Sequence, residues 1–303
     1  MTDLTVALIR RYAKSLNNAR PEFPDKQDQL LLTEPSKVGK IAITDVETTD
    51  LRMAPVEITE LAVQIYLYNK DTFEIIGLGE YYNELNEPSD LKKLTAEITE
   101  LTGITHADVK GKKIDWERAN QLFSEVDYVI AHNARFDKSH IATHLKVSPK
   151  WLCSCNGVDW ATKGAPNKKL EILCLHFGEF TYSGHRAIED VWATGILVDK
   201  TNILSEMIQS ASKVTCKVEG YLDAFGKTSI KDIISKKDNV VGHVFKMQAE
   251  FNAQTNKKDY WYEVRNLNNS QVEEIKVKLM ALVLEHNPKG ADRVKIIAVE
   301  QTI

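Results

Sequence analysis

Apolar positions recur at helical spacing over residues 3–17, where Leu4, Leu8, Ile9, Tyr12 and Leu16 share one face. The prolines of Arg20-Pro21-Glu22-Phe23-Pro24-Asp25 then mark a linker. From residue 38 the pattern becomes that of strands, around 40–46, 57–69 and 74–84, with a turn at Asn69-Lys70-Asp71 that makes the last two a hairpin. Helical patterns follow at 90–101, with Ser89 as its cap, and at 116–126, capped by Asp115. Gly103, between them, suits a tight turn or a positive φ. Tyr128-Val129-Ile130-Ala131 reads as a short buried strand, Ala134 to Leu145 as a helix, 151–158 as a strand and 167–177 as a helix. A long helix over 185–204 buries Ile188, Val191, Trp192, Ile196 and Leu197. This order predicts an α/β fold, a mixed sheet covered by helices on both faces.

The composition shifts near Ser205–Ser212. Beyond it the pattern is strand (214–219), helix (228–236), strands (242–251 and 259–265), helix (270–286) and strand (293–300), which is the β-α-β-β-α-β order of a ferredoxin-like domain. The expected organisation is therefore an N-terminal helix and linker (1–37), a main domain (38–204) and a small α+β domain of unassigned role (205–303).

With 43% apolar and 27% charged residues, the chain has the balance of a soluble globular protein. No apolar run approaches the roughly 20 residues of a membrane helix, and the N-terminus lacks the basic start of a signal peptide, so a cytoplasmic protein is expected. A net charge of −4 argues against a chain that grips long nucleic acid over its whole surface. The charge is uneven: residues 1–204 carry 24 basic and 30 acidic side chains, residues 205–303 carry 15 and 13. The cysteines, Cys153, Cys155, Cys174 and Cys216, lack zinc-site spacing and read as reduced thiols.

Three segments carry candidate chemistry. In Lys40-Ile41-Ala42-Ile43-Thr44-Asp45-Val46-Glu47-Thr48-Thr49, an apolar strand ends in Asp-x-Glu, so Asp45 and Glu47 fall on one strand face. Two buried carboxylates side by side are costly without a cation. Asp137, in Ala131-His132-Asn133-Ala134-Arg135-Phe136-Asp137, and Asp190, in Gly184-His185-Arg186-Ala187-Ile188-Glu189-Asp190, are candidates to complete an oxygen-rich site for hard divalent ions.

In this order, the three segments resemble the motifs of the DEDDh group of 3′–5′ exonucleases, which includes the epsilon proofreading subunit of bacterial DNA polymerase. The resemblance covers about residues 38–204, with His185 supplying the group's histidine and Leu101-Thr102-Gly103-Ile104-Thr105 resembling a segment between the first two motifs. As a whole the chain looks like a stand-alone bacterial member. The resemblance implies a ribonuclease H-like fold and a hydrolase using two Mg²⁺ or Mn²⁺. Asp45, Glu47, Asp137 and Asp190 would be metal ligands and His185 the proton acceptor. Contacts with the terminal nucleotide fall to Thr48, Thr49, Thr102, Gly103 and Ile104, while Asn133 and Phe136 flank the second motif within reach of the strand. The implied partner is a nucleic-acid 3′ end, single-stranded DNA first, as in proofreading or repair. RNA trimming uses the same chemistry. A non-catalytic adaptor that binds nucleic acid or a polymerase is the competing class, but it would have no physical reason to retain buried like charges.

Other residues read as structural. His132 is expected to support the fold, and His140 and His144 to lie on the surface. Trp116, Trp151, Trp160, Trp192 and Trp261 are expected to pack. The aromatic-basic run Lys257-Lys258-Asp259-Tyr260-Trp261-Tyr262 is open to a nucleic-acid role or to a place in a sheet with one exposed edge.

Overall fold

The computed structural model describes residues 23–24, 26–50, 56–219, 243, 245–252, 257–286 and 294–300. The chain divides into two compact units that meet at Ile208/Gln209. The predicted helices at 3–17 and 228–236 lie outside the described residues.

The first unit is built on five strands: β1 (Val38–Thr48), β2 (Ile58–Asn69), β3 (Ile75–Leu85), β4 (Tyr128–Ala131) and β5 (Trp151–Cys153). They lie in the order β3-β2-β1-β4-β5. β1 to β3 are antiparallel neighbours, whereas β4 runs parallel to β1 and β5 parallel to β4. This is the mixed sheet that the pattern predicts, and it is ribonuclease H-like, as the resemblance implies. Central β1 is buried on both faces, which is why Ile41-Ala42-Ile43 is an unbroken apolar run.

The helices of this unit are α1 (Gln27–Leu32), α2 (Ala96–Thr102), α3 (His106–Val109), α4 (Trp116–Ser124), α5 (Ala134–Ile141), α6 (Leu170–Leu173) and α7 (Ala187–Thr201); the division between the units falls within α8 (Leu204–Ala211). Predicted boundaries shift, as three cases show. The helix expected at 90–101 is a 3₁₀ turn at Leu91–Lys93 followed by α2, which is capped by Thr95, whose hydroxyl accepts from the Ile98 N–H. Ser89 instead bonds Glu57 through both its N–H and its hydroxyl. The strand expected at 151–158 ends at Cys153, because the Gly157 N–H turns back onto the Cys153 carbonyl. The long third-motif helix begins at Ala187, so His185 stands in the preceding loop.

The same helix explains how the site is held against the sheet. α7 packs on β1 and β2, and a Cβ built on Gly195 would overlap the Tyr66 ring and hydroxyl. Glycine is thus required there for close approach, and that approach fixes where the N-terminal turn of α7 sits.

The second unit holds β6 (Val214–Glu219), β7 (Lys246–Asn252), β8 (Lys257–Leu267), α9 (Asn269–His286) and β9 (Lys295–Glu300). Its strand order is β7-β8-β6-β9, with antiparallel neighbours throughout, the order of a ferredoxin-like sheet. Val214, Cys216 and Val218 alternate inward from β6 and share a core with Val272, Ile275, Leu279 and Val283, which form the 3–4 stripe of α9. Tyr262 joins that core. Trp261, one residue earlier, points to the opposite face, where the Lys217 ammonium lies 4.2 Å from its ring centre.

Gly195→Ala is expected to destabilise the protein by about 1–3 kcal/mol through overpacking. Replacing Tyr66 by Phe in the same chain should recover part of the loss. Thermal unfolding of the two variants checks this, and an unchanged melting temperature in Gly195→Ala would show that α7 does not depend on the close approach.

Candidate active site

Strand periodicity puts Asp45 and Glu47 on one face at the end of β1. α5 follows β4 after a two-residue turn in which Asn133 adopts a left-handed conformation, φ 75°. That sharp reversal brings Asp137, in the first turn of α5, back onto β1. Asp137 is 2% exposed, and its Oδ1 accepts the Val46 N–H at 3.2 Å, between the two first-motif carboxylates. Asp190 lies in the first turn of α7. Its Oδ1 accepts from the Tyr182 hydroxyl at 2.7 Å and its Oδ2 from the His185 N–H at 2.9 Å. His185 itself is held at φ 69°.

Asp45, Glu47 and Asp190 each offer one oxygen, and the three oxygens lie within 4.8 Å of one another. Among the described residues this is the one His/Cys/Asp/Glu group so closely gathered. Asp137 stands beside the trio and acts on it by charge. Burial, and then the Asp137, Asp190 and Glu47 carboxylates, push the Asp45 carboxyl well above its ordinary range. Glu47 is raised to about 8 by burial and by Asp190 and Glu60. Burial also raises Asp137 to about 8, against the hydrogen bond from Val46. Asp190 rises to about 6, because burial outweighs the bonds from Tyr182, His185 and Arg186. A set of hard oxygen donors with mutually unfavourable charges fits a divalent cation of the magnesium or manganese type. Asp45, Glu47 and Asp190 are the residues that would hold it.

The residues expected to meet a substrate are placed differently from one another. The Thr48 hydroxyl donates to the Asp50 carbonyl at 2.5 Å, and the Thr49 hydroxyl accepts from the Glu57 N–H at 3.2 Å. The Thr102 hydroxyl donates to the Ile98 carbonyl and accepts from the Ile104 N–H. Ile104 is buried with Leu94, Ile98 and Val109. Gly103, left-handed at φ 73°, is exposed between Thr102 and Ile104. Asn133 is exposed at the head of α5, and Phe136 packs against the core and edge-on to His140, at 4.6 Å.

His132 bonds the Ser154 hydroxyl and the Lys168 carbonyl, and burial lowers its pKa to about 4, as suits a structural imidazole. The surface position expected for His140 is corrected: it is buried against Phe136. His144 is stacked on Trp116 at 4.0 Å, so the i, i+4 histidine pair is engaged with aromatic rings. The cysteines are free thiols.

Sequence reasoning missed Glu60, Arg186 and Tyr182. Glu60 is 0% exposed inside β2, and its carboxylate takes the Arg186 guanidinium at 3.0 Å through both Nε and Nη2. The available signal was an acid within the apolar run Ile58-Thr59-Glu60-Leu61, which needs a buried partner.

The raised pKa values set a pH dependence for the metal-free protein. Between the ordinary carboxyl value of 4.5 and about 8, groups such as Glu47 hold protons in the folded chain that the unfolded chain releases. Metal-free stability is therefore expected to be highest at acid pH and to fall as pH rises toward 8. In EDTA, Asp45→Asn should flatten this slope and raise the melting temperature at pH 8.5, by about 2–4 °C per kcal/mol relieved. Mn²⁺ should raise the wild-type melting temperature at pH 8.5 more than that of Asp45→Asn. Calorimetric melts across pH check this, and a wild-type curve that rises from pH 5 to 8.5 in EDTA would contradict it.

Residues 42–198, more than half of the chain, match the RNase T exonuclease family model. Over 168 residues the chain is 32% identical to the PolC-type DNA polymerase III of Halalkalibacterium halodurans, covering 53% of this chain. It spans only 11% of that polymerase. Among solved structures, similarity extends to apo exonuclease I (TM-score 0.45, 12% identity, 84% of this chain and 72% of that one). It also extends to a 3′-exonuclease described by its recognition of the histone mRNA stem-loop (TM-score 0.40, 18% identity, 55% of this chain and 82% of that one). The family match spans the strand and the two helices that deliver the four acids, and the histidine precedes the last of them, so the chain belongs to the exonuclease family, in its DEDDh group of metal-dependent 3′–5′ exonucleases.

Proposed function

We propose that the protein is a 3′–5′ exonuclease that hydrolyses phosphodiester bonds and releases mononucleotides, with single-stranded DNA as its substrate and proofreading or repair as its setting. The observation that carries the reading is the convergence of Asp45, Glu47 and Asp190 oxygens within 4.8 Å, beside the loop that holds His185. The preference for DNA is supported by the likeness to a PolC-type DNA polymerase III.

Two Mg²⁺ or Mn²⁺ ions, when bound, would neutralise charge on the phosphoryl group and ease deprotonation of a bound water. Asp45, Glu47 and Asp190 would hold the ions, and Asp137 would contribute directly or through water. His185 accepts the proton of the attacking water, a role for which an imidazole, titrating near neutral pH, is suited. The Asp190 carboxylate fixes the His185 backbone, so that acid and base are oriented together. Thr48 is bonded to Asp50 and Thr49 to Glu57, and Gly103 offers a backbone surface without a side chain. With the Thr102–Ile104 segment, Asn133 and Phe136, these form the proposed seat of the terminal nucleotide. An aromatic side chain such as Phe136 suits contact with a base of any identity.

Digestion of 5′-labelled single- and double-stranded DNA and RNA, with Mg²⁺ or Mn²⁺, tests the proposal. Stepwise shortening from the 3′ end is expected, fastest on single-stranded DNA, and faster trimming of RNA would move the assignment to an exoribonuclease. His185→Ala should lower turnover by about 100- to 10,000-fold, and Asp45→Asn should lower it at least as far. Oligonucleotide binding without cleavage in the wild type would favour the adaptor reading, and full activity in Asp45→Asn would end the enzymatic one.

A further inference from the structure

β1 and β2 are paired so that Glu47 stands directly opposite Glu60. Residues directly opposite in an antiparallel pair project to the same face, and like charges there repel. Glu47 belongs to the gathered trio; Glu60 does not. Glu60 is instead enclosed by donors. Its Oε2 accepts from Arg186 Nε at 3.0 Å and from the Ala187 N–H at 3.1 Å. Its Oε1 accepts from Arg186 Nη2 at 3.0 Å and from Asn83 Nδ2 at 3.2 Å.

A two-pronged guanidinium–carboxylate pair fixes both distance and direction, which a lysine cannot do. Here it ties two parts of the site that are 126 positions apart in sequence. Glu60 is rooted in β2, next to the strand of Asp45 and Glu47. Arg186 lies between His185 and α7, and Ala187 is the first residue of α7. The Arg186 side chain makes no cap to its own helix. Glu60 thus takes an N–H at the start of α7 that local sequence leaves without a side-chain cap.

We propose that Glu60 and Arg186 are positioning residues of the nuclease. Their fork sets where His185 and Asp190 stand relative to Asp45 and Glu47, and the Arg186 charge offsets Glu60 so that Glu47 faces the metal site without an uncompensated neighbour. This rests on the exonuclease reading for its effect on turnover, but its effect on metal affinity is independent of any cleavage assay.

The test uses the full-length chain with Arg186→Lys, Arg186→Gln, Glu60→Gln and the Glu60→Gln/Arg186→Gln double variant. Mn²⁺ affinity is measured by titration calorimetry without nucleic acid, and kcat and KM on a single-stranded DNA oligonucleotide. Arg186→Lys keeps the charge, loses the fork and alters a side chain that is 40% exposed, so it remains informative if Glu60→Gln fails to fold. It is expected to weaken Mn²⁺ binding, kcat or both by about 10- to 100-fold, with KM changed far less. Arg186→Gln should be worse, because it leaves Glu60 unpaired beside Glu47. The double variant should lose no more than the worse single one, since the residues act as one unit. Wild-type Mn²⁺ affinity and kcat in Arg186→Lys would overturn the proposal, as would single losses that multiply in the double variant. An inactive wild type would instead count against the exonuclease reading, and the Mn²⁺ titration would still decide the role of the pair.

Discussion

The structure is organised around an electrostatic conflict. Asp45, Glu47 and Asp190 are brought within 4.8 Å of one another by groups from two separate elements, with a fourth acid, Asp137, at their side. Carboxylates left to themselves would separate or stay in water; here burial first, and the neighbouring acids after it, raise their pKa values, because separation is not available. The backbone prevents it. Asp45 and Glu47 are fixed by the pleat of a strand paired on both sides, Asp137 by the Val46 N–H, and Asp190 by Tyr182 and the His185 N–H. Such a site is preorganised for a cation, since the work of assembling like charges is done when the chain folds.

That arrangement places demands far from the acids. α7 must lie close enough to β1 and β2 for Asp190 to reach the strand end, and the absence of a side chain at Gly195 allows it. The helix must also be held at the right rotation, which no local capping residue ensures. The Glu60 carboxylate, from a strand much earlier in the chain, takes that place. Asn133 similarly takes a positive φ, so that α5 can turn back and present Asp137. Gly195 and Glu60 serve the geometry of the acids without joining them, and Asn133 does so besides its place in the proposed nucleotide seat.

The division between what could be read from sequence and what could not follows range. The central strand was visible because Ile41-Ala42-Ile43 is buried on both faces, and the acids because Asp-x-Glu at the end of such a run demands a partner. Caps were less legible. Ser89 and Thr95 are both plausible N-caps, and the choice was made by Glu57, which captures Ser89 across 32 positions. His140 looked like a solvent-facing residue because the aromatic partner that covers it, Phe136, was not assigned to it by any local rule, whereas His144 is exposed as expected, stacked on Trp116. Glu60 was overlooked for the same reason: an acid in an apolar strand can be recognised as a problem, but its solution, Arg186, lies 126 positions away.

The segment before α7 shows where the strain of the assembly is concentrated. Between α6 and α7 the chain makes one π-helical turn, Cys174–Gly178, then passes through Glu179 at φ 57° and His185 at φ 69°. A left-handed conformation in a residue with a Cβ costs about 1–2 kcal/mol, so two in one short loop need support from outside it. The support at His185 is visible. Its N–H is taken by Asp190, and the next residue, Arg186, is gripped by Glu60. The strained residue and the acid that restrains it are therefore tied to each other directly. A glycine would relieve the backbone at position 185, but it would remove the imidazole. The cost is met by bonds that reach outside the loop, to the Asp190 carboxylate in α7 and to Glu60 in β2.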